Sequence, residues 1–293
     1  MGIREDRLHP FDRQRMNMKI FLLACSAILF TFSAHGRIMP RFPFQMMYTQ
    51  ANLVVIARPI SVKDTSEKTT LPGIISTFPD GTQHRIDAVG VETEFSVEAL
   101  VKGEKSPGTK FMLHHLKLAD PKDIGNNGPM LVTFDPSQPE SYLLFLKKEA
   151  DGRFAPINGQ TDPGIHGTTP ASWIDLIAVG KMVSAPRQSE SVANTNASPT
   201  RHLTGYRTGF ELQKVVWGNT TTNKVVLHHF EDAPDSLPPV FHFKPEPGDS
   251  YLLFLTKEAE GVFTPVRRRD SGSSVSGTTS ETSSIVKLDE ATK

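Results

Sequence analysis

Apolar and polar residues follow two patterns along the chain. In some segments they alternate: Phe95 and Val97, for example, have polar neighbours, as in a strand with one face in water. Residues 142–146 and 251–255 are instead continuously apolar, as in a central strand that is covered on both sides. No segment after residue 36 keeps a helical apolar period over three turns, and the 22 prolines disfavour helices. The pattern therefore predicts an all-β fold.

One strand pattern occurs twice. Residues 141–156, SYLLFLKKEADGRFAP, recur as residues 250–265, SYLLFLTKEAEGVFTP, with 12 of 16 positions identical. Further segments match in the same order: 52–61 with 175–184, 93–103 with 208–218, and 111–115 with 225–229. The chain is therefore expected to contain an internal duplication. We predict two tandem units, residues 49–168 and 172–268, each with about five or six antiparallel strands in a small barrel or a sandwich.

The two copies differ most in one loop. The spacing from Ser61 to Thr93 is 32 residues, whereas the matching spacing from Ser184 to Thr208 is 24, which indicates an insertion in a surface loop of the first copy. Residues 186–200 have almost no apolar side chains, so we expect a mobile loop there. The Ser- and Thr-rich residues 271–293 are expected to form a disordered tail for the same reason.

The N-terminal residues have the pattern of an export signal. Lys19 precedes an apolar run at residues 20–32, which is followed by the small residues of Ser33-Ala-His-Gly36. This order predicts a disordered polar prefix and a secretory signal peptide within residues 1–36, with cleavage after Gly36. The apolar run is shorter than the about 20 residues that span a membrane, and no later run approaches that length. We therefore expect a secreted or periplasmic protein with no transmembrane span in the mature chain.

Two details of this N-terminal region stay open. The polar prefix before the signal favours a translation start at Met16 or Met18 over Met1. Cys25, the single cysteine, ends a Leu-Leu-Ala-Cys segment that faintly matches a lipoprotein cleavage box, although the apolar run continues beyond it, which argues against lipidation. Cleavage of the signal removes this cysteine, so the exported chain is expected to have no disulfide and to be stabilised by packing.

The charge balance disfavours one class of partner. The chain has 32 basic and 32 acidic residues, and 27 basic and 29 acidic residues remain without residues 1–36. Nucleic-acid binding requires a concentrated basic footprint, and the densest basic cluster is the triplet Arg267-Arg-Arg269. We therefore expect no nucleic-acid partner.

The order of the strand motifs carries a family resemblance. Three motifs resemble uncharacterised exported proteins of Planctomycetes-type bacteria: Ala-Asn-Leu-Val-Val at 51–55, Phe-x-Val-x-x-Leu-Val-Lys-Gly at 95–103, and Tyr-Leu-Leu-Phe-Leu at 142–146. Both units are more distantly similar to the netrin-like domain, an OB-type barrel also used by tissue inhibitors of metalloproteinases, which implies OB-like barrels. In those inhibitors an N-terminal cysteine binds the protease zinc. The exported chain, beginning near Arg37, has no cysteine, so that mechanism does not carry over.

Two histidine pairs are candidate metal ligands. His114-His115 and His228-His229 lie at matching positions. Neighbouring residues on a strand point to opposite faces, so one pair alone cannot put both rings on one ion. A zinc or copper site would need a further ligand, for which the candidates are His84, Asp120, His166 and His242. The structural alternative is that one ring of each pair packs at a barrel rim while the other meets solvent.

Catalytic candidates carry no recognisable motif. Asp162 and His166 could pair, but the chain has no Gly-x-Ser-x-Gly elbow. Paired carboxylates for hydrolysis depend on a separation in space that sequence spacing does not give. The candidates by proximity in sequence are Glu92, Glu94, Asp120 and Asp123. Trp173 and Trp217 could either seal a core or stack against a sugar.

The export signal, the repeat and the missing catalytic motifs together favour an exported, non-enzymatic protein. Its two β units would bind a macromolecule or a surface, and no cofactor is expected. Two alternatives stay open: a secreted hydrolase with a carboxylate or histidine site that no motif marks, and a metal-binding protein that uses the repeated histidine pairs.

Overall fold

The structure is a computed structural model that describes residues 43–77, 81–104, 109–123, 131, 133–157, 168–194, 201–232, 243, 245–266 and 284–289. Several predictions from the sequence lie outside these residues. They concern the signal peptide within residues 1–36, with Met1, Met16, Met18 and Cys25, the candidate ligands His166 and His242, the candidate pair of Asp162 with His166, and the triplet at 267–269.

Strands dominate the described residues, as the hydrophobic pattern predicts. A short helix, α1 (Phe44–Gln50), precedes the strands β1 (Leu53–Thr77), β2 (Gln83–Lys102), β3 (Lys110–Leu118), β4 (Tyr142–Lys148), β5 (Phe154–Pro156), β6 (Thr168–Pro170), β7 (Leu176–Asn194), β8 (Arg201–Gly218), β9 (Lys224–Asp232), β10 (Ser250–Ala259), β11 (Val262–Pro265) and β12 (Ile285–Lys287). Within the described part of the chain, no helix is long and apolar enough to cross a membrane.

The strands form two six-stranded sheets with the same connectivity. In the first sheet, pairing runs β1–β2–β3–β5–β4 and returns from β4 to β1, while β6 pairs with β4. In the second, pairing runs β7–β8–β9–β11–β10 and returns from β10 to β7, while β12 pairs with β10. Five strands of each sheet are thus paired in a ring. The pairings are antiparallel, as predicted, except for β3 with β5 and β9 with β11, which are parallel.

The continuously apolar strands are covered on both faces, as predicted, because the two sheets share a core. Leu144 and Leu146 of β4 pack among the residues inside the first ring. The alternate residue Phe145 packs instead in a cluster that contains Phe254 of β10. Successive strand residues point to opposite faces, so one face of β4 lines its own ring and the other contacts the second sheet.

The chain segments at either end of the described residues close this shared core. The ring of Phe44 in α1 packs edge-on against Phe145 and Phe254, with centroid distances of 5.1 and 5.0 Å. The side-chain carbonyl of Gln45 accepts a hydrogen bond from the backbone N–H of Lys287, at 2.7 Å. Helix α1 and strand β12 are therefore joined across the sequence.

Two predictions of missing structure are wrong. Residues 284–289, assigned from composition to a disordered tail, include β12, because its apolar side chains Ile285 and Val286 are buried. Residues 186–194, predicted to begin a mobile loop, belong to β7 and pair with β8. A two-stranded hairpin satisfies its backbone hydrogen bonds without apolar side chains, so composition alone misjudged this segment.

Both long hairpins continue past the rings. Strand β1 pairs with β4 only over residues 53–57, and the rest of its length pairs with β2. Strand β7 pairs with β10 only over residues 176–181 and continues along β8. Each of these long strands contains several register shifts, which mark β-bulges.

Candidate functional site

The repeated histidine pairs are buried on both faces of their strands. His114 and His115 of β3 are 7% and 3% exposed, and His228 and His229 of β9 are 4% and 0% exposed. The prediction that one ring of each pair meets solvent is therefore wrong. His115 and His229 pack against the aromatic residues Phe134 and Phe243, and we call them the inner histidines. We call His114 and His228 the outer histidines.

Two glutamates enclose the outer histidine of the first sheet. The Nδ1 of His114 donates a hydrogen bond to Oε2 of Glu149, at 3.0 Å, just after β4. Its Nε2 lies 2.9 Å from Oε2 of Glu67 on β1. That second approach is close enough for an ion pair, but Nε2 has no hydrogen-bond partner among the described residues. The ring thus links the long strand β1 to the end of β4.

The second sheet repeats this arrangement at matching positions. The Nδ1 of His228 donates to Oε2 of Glu258 at 2.8 Å, and its Nε2 lies 3.0 Å from Oε1 of Glu190. Here too the buried Nε2 has no hydrogen-bond partner within the described ranges. Glu149 and Glu258 occupy the same place in the repeated 16-residue segment, and Glu67 and Glu190 each lie six residues after the matching serines at 61 and 184.

A bulge opposite a glycine directs Glu67 towards its histidine. The pairing of β1 with β2 shifts register between Asp64 and Lys68, so extra residues face the single residue Gly90. A Cβ atom at position 90 would lie 2.5 Å from Oγ1 of Thr65 and 2.9 Å from Oε2 of Glu67. Because such contacts are too close, the bulge in this form requires glycine.

The second sheet has the same combination of bulge and glycine. Strand β7 shifts register between Gln188 and Glu190, opposite Gly205. A Cβ atom at position 205 would lie 2.9 Å from Cγ of Glu190 and 3.0 Å from Oγ of Ser189. Both glutamates on the long strands are therefore held by the same local backbone feature.

The inner histidines differ between the two sheets. The Nε2 of His115 lies 2.8 Å from the hydroxyl oxygen of Thr93. At the matching positions, Thr208 Oγ1 and both ring nitrogens of His229 have no hydrogen-bond partner among the described residues. The His229 ring stacks instead on Tyr206, with centroids 5.7 Å apart.

Further charges surround the first cluster. Glu92 lies directly opposite His114 in the pairing of β2 with β3, and its Oε1 accepts a hydrogen bond from Arg153 at 3.0 Å. Hydrogen bonds from the backbone N–H and then the side chain of Arg153 lower the pKa of Asp151, and the charge of His114 also lowers it. The first cluster is thus embedded in a wider network of ion pairs.

The second cluster has fewer charged neighbours. Arg207 lies opposite His228 at the position that matches Glu92, and Val262 stands where the first copy has Arg153. The pairing of glutamate with histidine is common to both sheets, whereas the charges around it are not.

The carboxylates considered for hydrolysis do not form a free pair among the described residues. Glu92 binds Arg153, and Glu94 lies 3.4 Å from the ammonium of Lys110. Asp120 accepts a hydrogen bond from the backbone of Lys122, at 2.9 Å, in a turn. The side chain of Asp123 lies outside the described residues. Glu92, Glu94 and Asp120 therefore each have a structural partner within the fold.

The two tryptophans have structural contacts. Trp217 packs against the shared core, and the backbone carbonyl of Trp173 accepts a hydrogen bond from the hydroxyl of Thr256 at 2.9 Å. For Trp217, this contact supports a role in sealing the core rather than in stacking against a sugar.

A closed metal centre is not assembled from the described residues. They contain no group of three or more His, Cys, Asp or Glu side chains placed to hold a metal ion. His84 and Asp120, named from the sequence as further ligands, are both exposed. The groups that do meet the outer histidines are glutamates, which sequence reasoning missed although their spacing from the matching serines is the same in both sheets.

Two comparisons with known proteins gave no match. No protein-family model matches the chain, and no curated protein shows significant similarity to it.

Proposed function

We propose that the chain is an exported, non-enzymatic protein that binds a macromolecule or a surface through its two β units. The observation that carries this proposal is the shared core around Phe145 and Phe254. Side chains in a packed core are closely fitted, so this shared core favours a common support for the proposed binding surface. An internal duplication, inferred from the sequence repeat, is part of the same proposal.

The polar groups of the described residues also favour binding over catalysis. The outer histidines are occupied by their own glutamates, and the candidate carboxylates Glu92 and Glu94 have basic partners. A general acid or base must reach a substrate, and these groups are engaged within the fold. The matching connectivity of the two sheets supports the duplication.

The long hairpins are the surfaces proposed for contact. Residues 81–85, at the turn of the first hairpin, and residues 187–191 of β7 are exposed and have no apolar side chain, on hairpins that extend past the rings. Loops and hairpins carried by a rigid sheet commonly supply binding surfaces.

Shortened hairpins test the proposal. One variant replaces residues 70–86 with a two-residue turn, and the matched variant replaces residues 187–207, so that both sheets keep the strands of the ring. The labelled protein is added back to the producing cells, and saturable binding is measured with unlabelled protein as competitor. We expect saturable binding by the wild type and at least tenfold weaker binding by one or both variants.

Separate measurements distinguish binding from export and from catalysis. N-terminal sequencing of the protein outside the cytoplasm should give a chain that begins near Arg37. Equal binding by the wild type and by a folded variant shortened in both hairpins would contradict the proposed surface. Turnover of a polymer substrate that is lost in Glu92→Gln or Asp120→Asn would replace the binding proposal with the hydrolase alternative.

A further inference from the structure

We propose that strand β12 is exchangeable, and that the edge of β10 also accepts residues 284–289 from a second copy of this chain. The site is the groove between β10 and helix α1, which β12 fills within one molecule. This surface is separate from the long hairpins, so the inference does not depend on the proposed binding function.

The groove binds the main chain of β12 from both sides. On one side, β12 pairs with residues 251–253 of β10, and the backbone N–H of Leu288 donates to the carbonyl of Ser250 at 3.0 Å. On the other side, the backbone N–H of Lys287 donates to the side-chain carbonyl of Gln45 in α1 at 2.7 Å. Main-chain pairing at a sheet edge is a common way for a domain to bind an extended peptide. The groove therefore has the contacts of a peptide site.

The side chains of β12 alternate between two cores. Ile285 packs in the core of the second ring, whereas Val286 and Leu288 pack in the shared core. Lys287 is exposed, and its ammonium lies 2.6 Å from Oδ2 of Asp249. The groove therefore fits an extended segment with two adjacent apolar residues, then a basic residue, then a third apolar residue.

The connection before β12 is longer than the distance that it joins. The backbone N–H of Val266, just after β11, donates to the carbonyl of Phe254 at 3.0 Å, and the hydroxyl of Ser284 donates to the same carbonyl at 3.3 Å. Because β7 pairs with the other edge of β10, β11 and β12 follow one another along one edge. The 17 residues 267–283 come between them. A chain of that length spans at most about 55–60 Å, which is enough to reach the groove of a neighbouring molecule.

A second copy offers the same segment to the same groove. The contacts of β12 with β10, α1 and the two cores come from residues 284–289, so a segment from another molecule can make all of them. The balance between the two forms then depends on concentration. Short flexible linkers hold a tethered segment at roughly millimolar concentration, so chains at micromolar concentration should keep β12 in their own groove. Exchange of an identical element between copies gives a dimer at higher concentration.

Peptide binding to a cut chain tests the proposal. A protease site placed within residues 272–279 lets the purified full chain be cut while β12 stays in its groove. A fluorescent peptide of residues 281–291 is then added, and its anisotropy is measured. We expect saturable binding to the cut chain. Binding to the uncut chain should be at least about 100-fold weaker, because its own β12 competes at a high local concentration.

Two peptide variants provide matched controls. The peptide with Val286→Asp should not bind, because Val286 is fully buried in the groove. The peptide with Asp289→Asn should bind like the wild type, because Asp289 is exposed. Neither control requires a change to the folded chain.

The second copy is tested with the uncut chain itself. After incubation at millimolar concentration, light scattering should detect a dimer that excess wild-type peptide dissociates and the Val286→Asp peptide does not. The proposal is overturned if the cut chain binds neither peptide or binds the wild-type and Val286→Asp peptides equally. It is also overturned if no dimer forms, or if the wild-type peptide leaves the dimer intact.

Discussion

The shared core makes a quantitative prediction about coupling between the two sheets. Phe145 and Phe254 are fully buried, and their ring centroids are 6.0 Å apart. Replacing either ring with alanine should destabilise the protein by about 3–5 kcal/mol, because a buried ring is lost and a cavity remains. Since the rings are in one cluster with Phe44, the two changes should not be additive.

Urea unfolding of Phe145→Ala, Phe254→Ala and the double variant measures this coupling. The interaction free energy should be about 0.5–3 kcal/mol, the range for residues in contact. Circular dichroism and tryptophan fluorescence, to which Trp217 in the same core contributes, should report one cooperative transition. Leucine at the same positions provides a milder pair of variants in case alanine prevents folding.

The matched control uses two phenylalanines inside the separate rings. Phe95 and Phe210 are each fully buried, and they lie in different core clusters. Their alanine substitutions should add to within about 0.3–0.5 kcal/mol. Additive effects for Phe145 and Phe254 as well, or two separate unfolding transitions, would refute the shared core.

Two further predictions concern the C-terminal strand and one surface carboxylate. A stop after residue 283 removes Ile285 and Val286, which are 4% and 0% exposed. It should therefore cost at least about 3 kcal/mol of stability, at about 1.5–3 kcal/mol for each buried aliphatic side chain; an unchanged melting temperature would contradict the role of β12. Hydrogen bonds from the hydroxyl and then from the backbone N–H of Ser137 lower the pKa of Asp135. The stabilising contribution of the Asp135 carboxylate is therefore fully present above the ordinary carboxyl pKa, and it is lost as the pH falls through the lowered pKa. In carboxyl-carbon NMR titrations, Ser137→Ala should move this pKa back towards its ordinary value, and an unmoved titration would exclude the hydroxyl as its main cause.

The fold was predictable because its signals are local. The apolar runs at 142–146 and 251–255 indicated strands covered on both sides, and the shared core provides that cover. The adjacent histidines were expected on opposite faces of their strands, and the structure agrees. Composition failed at residues 186–194 because hairpin pairing depends on backbone hydrogen bonds, which sequence composition does not report.

The site was less predictable because it depends on bulges. Residues that lie far apart in sequence meet at His114, and the position of Glu67 depends on a register shift that no propensity identifies. The spacing nevertheless contained a usable signal. Glu67 and Glu190 hold equal offsets from matching serines, so a search for polar residues shared by both copies could have found them.

The two sheets share the glutamate–histidine arrangement but differ in other contacts at matching positions. Lys102 donates hydrogen bonds to backbone carbonyls of Tyr48 and Thr49 at the end of α1, whereas Trp217 fills the matching position and packs against the shared core. The ion pair of Glu92 with Arg153 likewise has no equivalent in the second copy. The charges near each outer histidine thus differ between the two sheets, whereas both of its glutamates, the bulge and the glycine are present in each. The contacts of each outer histidine with its two glutamates therefore do not depend on that ion pair.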